Sequence, residues 1–258
     1  MKTIPRLTPE MIFEANGKST RGLLDVNGRT LYVETFGDWN HPAIAFLHGG
    51  PGTSCMEQGE MAALLGEYFF VVSFDQYGVF RSGEIEPDER FGMKEHIDQM
   101  EELRKLLKLP SWSLLGHSYG GMLVGYYTYH YPNSIDVAMF ENPAWNFSVS
   151  TKHIAESYIE NYYAHHPDET EGRNAAQYVI DKDYSGCEAD VMWDILKAQK
   201  YVKDKKVTYY MHAIEPHVYF DIMERVLKSL DMTEADMQKM DEMELLHLQK
   251  LNEAGEIN

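Results

Sequence analysis

The chain has 258 residues, a net charge of −18, 44% hydrophobic residues and 25% charged residues. That balance is ordinary for a packed globular protein and excludes global disorder, while the acidity removes nucleic acid and anionic membrane as partners, since both demand a basic footprint. No run approaches the ~20 apolar residues that cross a bilayer, and Met1–Arg6 is not followed by the apolar stretch of a secretory signal. Two cysteines, Cys55 and Cys187, are too few for a disulfide framework, so the expected setting is the cytoplasm.

The opening segment predicts β structure. Leu23–Val26 and Leu31–Val33 flank Asn27-Gly28, the dipeptide that best accepts the positive φ angles of a tight hairpin. Two continuous apolar runs follow: Ala43–Leu47, ending in His48-Gly49-Gly50-Pro51-Gly52, and Tyr68–Phe74, ending at Asp75. Continuous rather than alternating runs predict strands covered on both faces of a mostly parallel sheet. Met93, Ile97, Met100, Leu103 and Leu107 recur at helical spacing before Pro110. Trp112–Leu115 predicts a strand, Gly120–His130 a helix, and Ile135–Phe140 another strand. Strand and helix alternate, the pattern of a wound α/β sheet.

Past Glu141 the character changes. Ile154, Tyr158, Ile159, Tyr162 and Tyr163 form one amphipathic face, and Val191, Met192, Ile195 and Leu196 another. Val218–Leu230 supplies a third and Met237–Leu251 a fourth, the last with an N-cap at Thr233 and a stop at Gly255. The expected organisation is an α/β core over 1–145 and a helical cap over 146–258.

Gly116-His117-Ser118-Tyr119-Gly120 is a G-x-S-x-G sequence. A nucleophile on a tight strand-to-helix turn has a strained backbone, and glycines two positions either side relieve the resulting collisions. At average glycine and serine usage such a pentapeptide arises by chance in roughly one chain in ten of this length, so its setting between a strand and a helix carries much of the weight. His48–Gly52 is the stronger signal: placed after an earlier strand, it can offer the Gly50 N–H to an oxyanion, alongside the N–H of Tyr119. Ser118 is thus the candidate nucleophile, and Gly50 and Tyr119 the candidate oxyanion donors. No organic cofactor is implied, because a nucleophile and backbone donors suffice for acyl transfer, and no H-E-x-x-H or paired-cysteine spacing suggests a metal.

Three blocks carry a family likeness: His48–Gly52, Asp75-Gln76-Tyr77-Gly78-Val79-Phe80-Arg81-Ser82, and Gly116–Gly121. On these the chain resembles the α/β-hydrolase superfamily and, within it, the proline iminopeptidase group. The resemblance implies a serine aminopeptidase with a helical cap after the sixth strand and acidic groups near the cap for a free substrate amine. Glu141, Glu156, Glu160 and Glu215 are available for that amine. Tyr77 and Phe80 depart from the group's usual D-Q-R-G-x-G-x-S loop, and His117 and Tyr119 from its frequent G-G-S-W-G elbow.

In the superfamily the triad runs in the order Ser, Asp or Glu, then His. Beyond Glu141 the sequence shows no convincing pair of further strands, so the sheet is expected to be incomplete on its C-terminal side. Glu141 follows the strand after the elbow; it reads first as a carboxylate at the junction of core and cap, binding solvent or a substrate amine, with triad acid as the alternative. The downstream histidines are His153, His165, His166, His212, His217 and His247; His247 lies in an amphipathic helix and His165-His166 at a helix end, which suit packing or surface roles. His212 and His217, near the strand-like Val207–His212, are the better candidates for a base. Two readings therefore stand. One is a serine hydrolase acting on a short peptide, small amide or ester; the other is a partial hydrolase without turnover, either a fragment or a binding protein. An exposed sheet edge would also make a homo-oligomer the expected state.

Overall fold

The computed structural model describes residues 3–185, 190–203 and 231–255, with residues 225, 227, 228 and 230. The chain divides into two compact units, one of residues 1–144 with 231–256 and one of 145–230 with 257–258.

The first unit is built on a seven-stranded sheet. Its strands are β1 (Arg6–Leu7), β2 (Thr20–Val26), β3 (Arg29–Phe36), β4 (Ala43–Leu47), β5 (Phe70–Phe74), β6 (Trp112–His117) and β7 (Ile135–Glu141), in the order β1-β2-β3-β5-β4-β6-β7. β3 pairs antiparallel with both β2 and β5, and every other neighbouring pair is parallel. Around it lie α1 (Pro9–Ala15), α2 (Gly59–Leu65), α3 (Met93–Leu106) and α4 (Tyr119–His130). The second unit holds α5 (Phe147–His165), α6 (Thr170–Asp181) and α7 (Asp190–Gln199); α8 (Glu234–Glu253) belongs to the first. The sheet is mostly parallel, is not closed, and has the α/β-hydrolase arrangement.

Local chemistry explains these elements. Asn27 and Gly28 sit at φ 56° and 81°, and the Gly28 N–H donates to Asp25 Oδ1 at 3.0 Å, closing the β2–β3 hairpin. Every residue of β4 and β5 is buried, as their unbroken apolar runs require, whereas the outer strand β7 leaves Val137 and Phe140 exposed. Ile44, Phe46 and Val71 pack with Ala62 of α2 on one face of the sheet. α3 ends at Leu106, before Pro110, and Lys108 takes φ 55° on the way out. Buried Trp112 donates from Nε1 to Tyr127 Oη at 3.1 Å, and that hydroxyl donates to Glu101 at 2.6 Å, tying β6 to α4 and α3.

α8 starts on the capping box expected at Thr233, whose hydroxyl accepts from Asp236 N–H while the Asp236 carboxylate accepts from Thr233 N–H. Gly255, at φ 71°, follows its end. In the second unit α5 buries Tyr158, Tyr162 and Tyr163 as the spacing predicts, and α7 buries Val191, Met192 and Ile195 while Leu196 stays exposed. The short β1 and α1, and α6 as a separate helix, carry no signal that the sequence patterning picked out. Val207–His212, Glu215, His217 and most of Val218–Leu230 lie outside the described residues, as does Cys187. No helix among the described residues is long and apolar enough to cross a membrane.

Candidate active site

Ser118 stands between the last residue of β6 and the first of α4, at φ 51° and ψ −116°. A non-glycine residue pays for a positive φ, and such strain persists only where the surroundings over-determine it. Here they do. The Ser118 N–H donates to Glu141 O at 3.0 Å, and the Ser118 carbonyl accepts from Gly121 N–H at 3.0 Å and Ala144 N–H at 3.2 Å. The flanking glycines are required by space: a Cβ at Gly116 would lie 2.6 Å from Gly121 N, and one at Gly120 would collide with the Leu47 carbonyl oxygen and lie 2.8 Å from that of His48. Ser118 itself is only partly buried.

The His48–Gly52 loop lies against this serine. A Cβ built on Gly49 would sit 3.2 Å from Ser118 Cβ and 3.0 Å from His117 Cδ2, so the loop runs too close beside the elbow to leave easy room for a side chain there. Gly50 takes φ 110° and Gly52 φ 101°, a region that favours glycine, and the Gly50–Pro51 peptide is cis. Tyr119 opens α4 with its side chain fully buried. Ser118, Tyr119 and the loop containing Gly50 thus lie near one another.

Glu141 ends β7 with its side chain half exposed, 3.4 Å from Nδ1 of His117. No hydrogen bond joins Ser118 Oγ to a histidine among the described residues. His153 is exposed and pairs with Glu156, His165 is exposed at the end of α5, and His166 stacks on Tyr162 and accepts or donates at the Tyr162 carbonyl, 2.8 Å away. His212 and His217 lie outside the described residues. Nor do the described residues contain a cluster of three or more potential metal ligands.

Two buried networks near the loop went unread in the sequence. Asp75, fully buried, accepts from Ser54 Oγ at 2.7 Å, Cys55 N–H at 2.9 Å and Arg81 Nε at 2.7 Å. Burial alone would raise its pKa, but the Arg81 charge and these hydrogen bonds hold it below the usual carboxylate value. Arg81 in turn lies over the Tyr32 ring at 3.6 Å. The Asp75–Ser82 block thus builds a buried ion pair under the loop, a role that a motif reading could not distinguish from substrate contact.

The second network is a histidine pair. His96 of α3 and His247 of α8 are stacked at 4.7 Å with Nε2 to Nε2 at 2.7 Å, and both rings lie edge-on to Tyr119. His247 is completely buried, and desolvation pushes its pKa down to about 3, with His48 adding to the shift. Neither imidazole faces Ser118 through a hydrogen bond. Sequence spacing placed His247 on a helix, but the partner 151 positions earlier is a tertiary contact.

Comparison with known proteins agrees with this architecture. Residues 42–180 match the family described as alpha/beta hydrolase fold, and the chain belongs to that family. It is similar to a proline iminopeptidase of Heyndrickxia coagulans, 27% identical over 125 residues that make up 48% of this chain and 43% of that one. A proline iminopeptidase of Lactiplantibacillus plantarum is 36% identical over 102 residues, covering 38% of this chain and 35% of the relative. The chain thus spans less than half the length of these curated relatives. The crystal structure of a proline iminopeptidase-related protein from Thermus thermophilus superposes with a TM-score of 0.60 at 21% identity, over 89% of this chain and 74% of that one, which is a likeness of fold.

Proposed function

We propose that this chain is a serine hydrolase acting through Ser118, with the N-terminal residue of a short peptide as the acyl group transferred to the serine. Ser118 Oγ would attack the substrate carbonyl, forming the Oγ–C bond, and the C–N bond would then break as the amine departs with a proton. Water would hydrolyse the resulting ester. The N–H groups of Gly50 and Tyr119 would receive the oxyanion. The observation that carries this reading is the positive-φ backbone of Ser118, packed directly against Gly49. The aminopeptidase assignment rests on the named relatives, and Glu141, half exposed beside the elbow, is available for the substrate amine. The helical second unit would serve as the cap, and the working compartment would be the cytoplasm.

A fluorophosphonate probe tests it. Saturable labelling at Ser118, abolished by Ser118→Ala, is the expected result; comparison of proline-naphthylamide, p-nitrophenyl acetate and a simple lactone then separates aminopeptidase, esterase and lactonase. A second reading has its own support: no described histidine is hydrogen-bonded to Ser118, and His247 is committed to His96. A hydrolase without its base loses about a millionfold in turnover, as in subtilisin, so absence of labelling over hours would favour a binding or partial hydrolase.

A further inference from the structure

His48 directly follows β4 and is wholly buried, yet it contributes nothing to the acyl-transfer chemistry outlined above. Its contacts define it. The Gln76 N–H donates to Nε2 at 3.0 Å, so that nitrogen is a bare acceptor. A neutral imidazole then carries its proton on Nδ1, which lies 3.0 Å from the Gly49 carbonyl oxygen and 3.4 Å from Thr53 Oγ1. Burial favours the neutral ring by lowering the pKa of His48, against the opposing charge of Asp75. Gln76 closes the clamp by donating from its side chain to the His48 carbonyl at 3.1 Å.

The Gly49 carbonyl and the Gly50 N–H belong to one trans peptide plane and point in opposite directions. Without Cβ atoms on either side, little steric hindrance stops that plane from turning over. We infer that His48 is a positioning residue: by donating from Nδ1 to the Gly49 carbonyl it fixes which way the Gly50 N–H points, and so keeps that donor aimed for an oxyanion. The Gly50 N–H makes no hydrogen bond among the described residues, which leaves it for a ligand. This inference rests on the serine-hydrolase reading for its purpose, but not for its geometry.

Two substitutions separate the two ring nitrogens. The amide nitrogen of His48→Asn stands near the place of Nδ1 and keeps the donor to Gly49; the amide oxygen of His48→Gln reaches the place of Nε2 and keeps the acceptor for Gln76. Loss of one oxyanion donor costs about 10²–10³ in kcat. His48→Gln should therefore lose about 100-fold in kcat with KM changed less than about threefold, and His48→Asn should retain within about tenfold of the wild-type kcat. Equal losses in both variants would overturn the inference and leave His48 as packing. A second arm needs no turnover. Long-range 1H–15N spectra of the wild-type imidazoles should show His48 protonated at Nδ1 and bare at Nε2. In 15N-glycine protein the Gly50 amide resonance should stay in place in His48→Asn and move in His48→Gln. The opposite tautomer, or a Gly50 resonance indifferent to both changes, would sink the idea even if the variants were otherwise healthy. Failure of wild-type Ser118 to label refutes the hydrolase reading instead, and the spectra still decide the role of His48.

Discussion

Lowering the pH from 7.5 to 5.0 should weaken the first unit through His96 and His247. In the folded chain the His247 pKa is about 3 and that of His96 is well below its ordinary value, desolvation being the main cause in both, with His247, His48 and Arg29 adding for His96 and His48 for His247. In the unfolded chain each imidazole titrates near 6.5. Above that pH both states bind the same protons and the pair is neutral in the balance. Below it the unfolded chain takes up protons that the folded chain refuses, so stability falls by about 1.4 kcal/mol per pH unit per imidazole until the folded pKa is reached. At pH 5 this amounts to about 2 kcal/mol for His247, and His96 acts in the same direction.

Glu244 of α8 works the other way. Burial and Asp241 push its pKa up to about 7, so its protonation stabilises the fold as the pH falls, by about 2.4 kcal/mol between pH 7.5 and 5.0. The wild-type change alone is therefore ambiguous, and the difference from a His96→Phe, His247→Leu double variant isolates the imidazoles. Urea unfolding would be followed by tryptophan fluorescence with Trp145 and Trp193 replaced by Phe, leaving Trp39 and Trp112 of the first unit as reporters. The wild type should lose at least about 2 kcal/mol more than the double variant between pH 7.5 and 5.0, and His247→Leu alone should recover part of that difference. Superimposable pH dependences in wild type and double variant would refute the reasoning.

The space around the elbow makes Gly120→Ala disruptive, because its Cβ would strike the Leu47 carbonyl; a loss of about 1–3 kcal/mol by thermal or urea unfolding is expected, with Ser118 labelling lost as well. Arg81→Met should cost about 3–5 kcal/mol by leaving the Asp75 carboxylate buried without its cation, and the double change with Asp75→Leu should recover much of it in a double-mutant cycle. If the single variant is as stable as the wild type by calorimetry, that buried pair is not what holds the loop base. Val137 and Phe140, exposed on β7, the outermost strand among the described residues, should draw a second copy to that edge: light scattering is expected to give a dimer or larger species, reduced by Val137→Lys, and a monodisperse monomer would contradict this. Finally, if Glu141 receives the substrate amine, Glu141→Gln should raise KM for proline-naphthylamide several-fold and leave p-nitrophenyl acetate unaffected.

Much of the core could be read along the chain because its signals are local. An unbroken apolar run such as Phe70–Phe74 has to be covered on both faces, Asn27-Gly28 accepts positive φ where other residues would not, and Gly116 and Gly120 are compatible with a serine whose backbone is bent between strand and helix. Each is a property of a few neighbouring residues, so the central strands, α3 and α4, and the place of Ser118 between β6 and α4 are legible in the sequence. Where elements carry weak periodicity, as in the two-residue β1, local reading passed over them.

Tertiary structure alone decided which distant groups meet. That Asp75 faces Ser54, that His96 shares a hydrogen bond with His247, and that the His48 ring accepts from Gln76 follow from tertiary packing. No spacing rule links residues 28 or 151 positions apart. A charge or an imidazole in the sequence has the same formula whether it faces water or a buried partner, and only the fold sets its surroundings, its pKa and the direction of the peptide it holds.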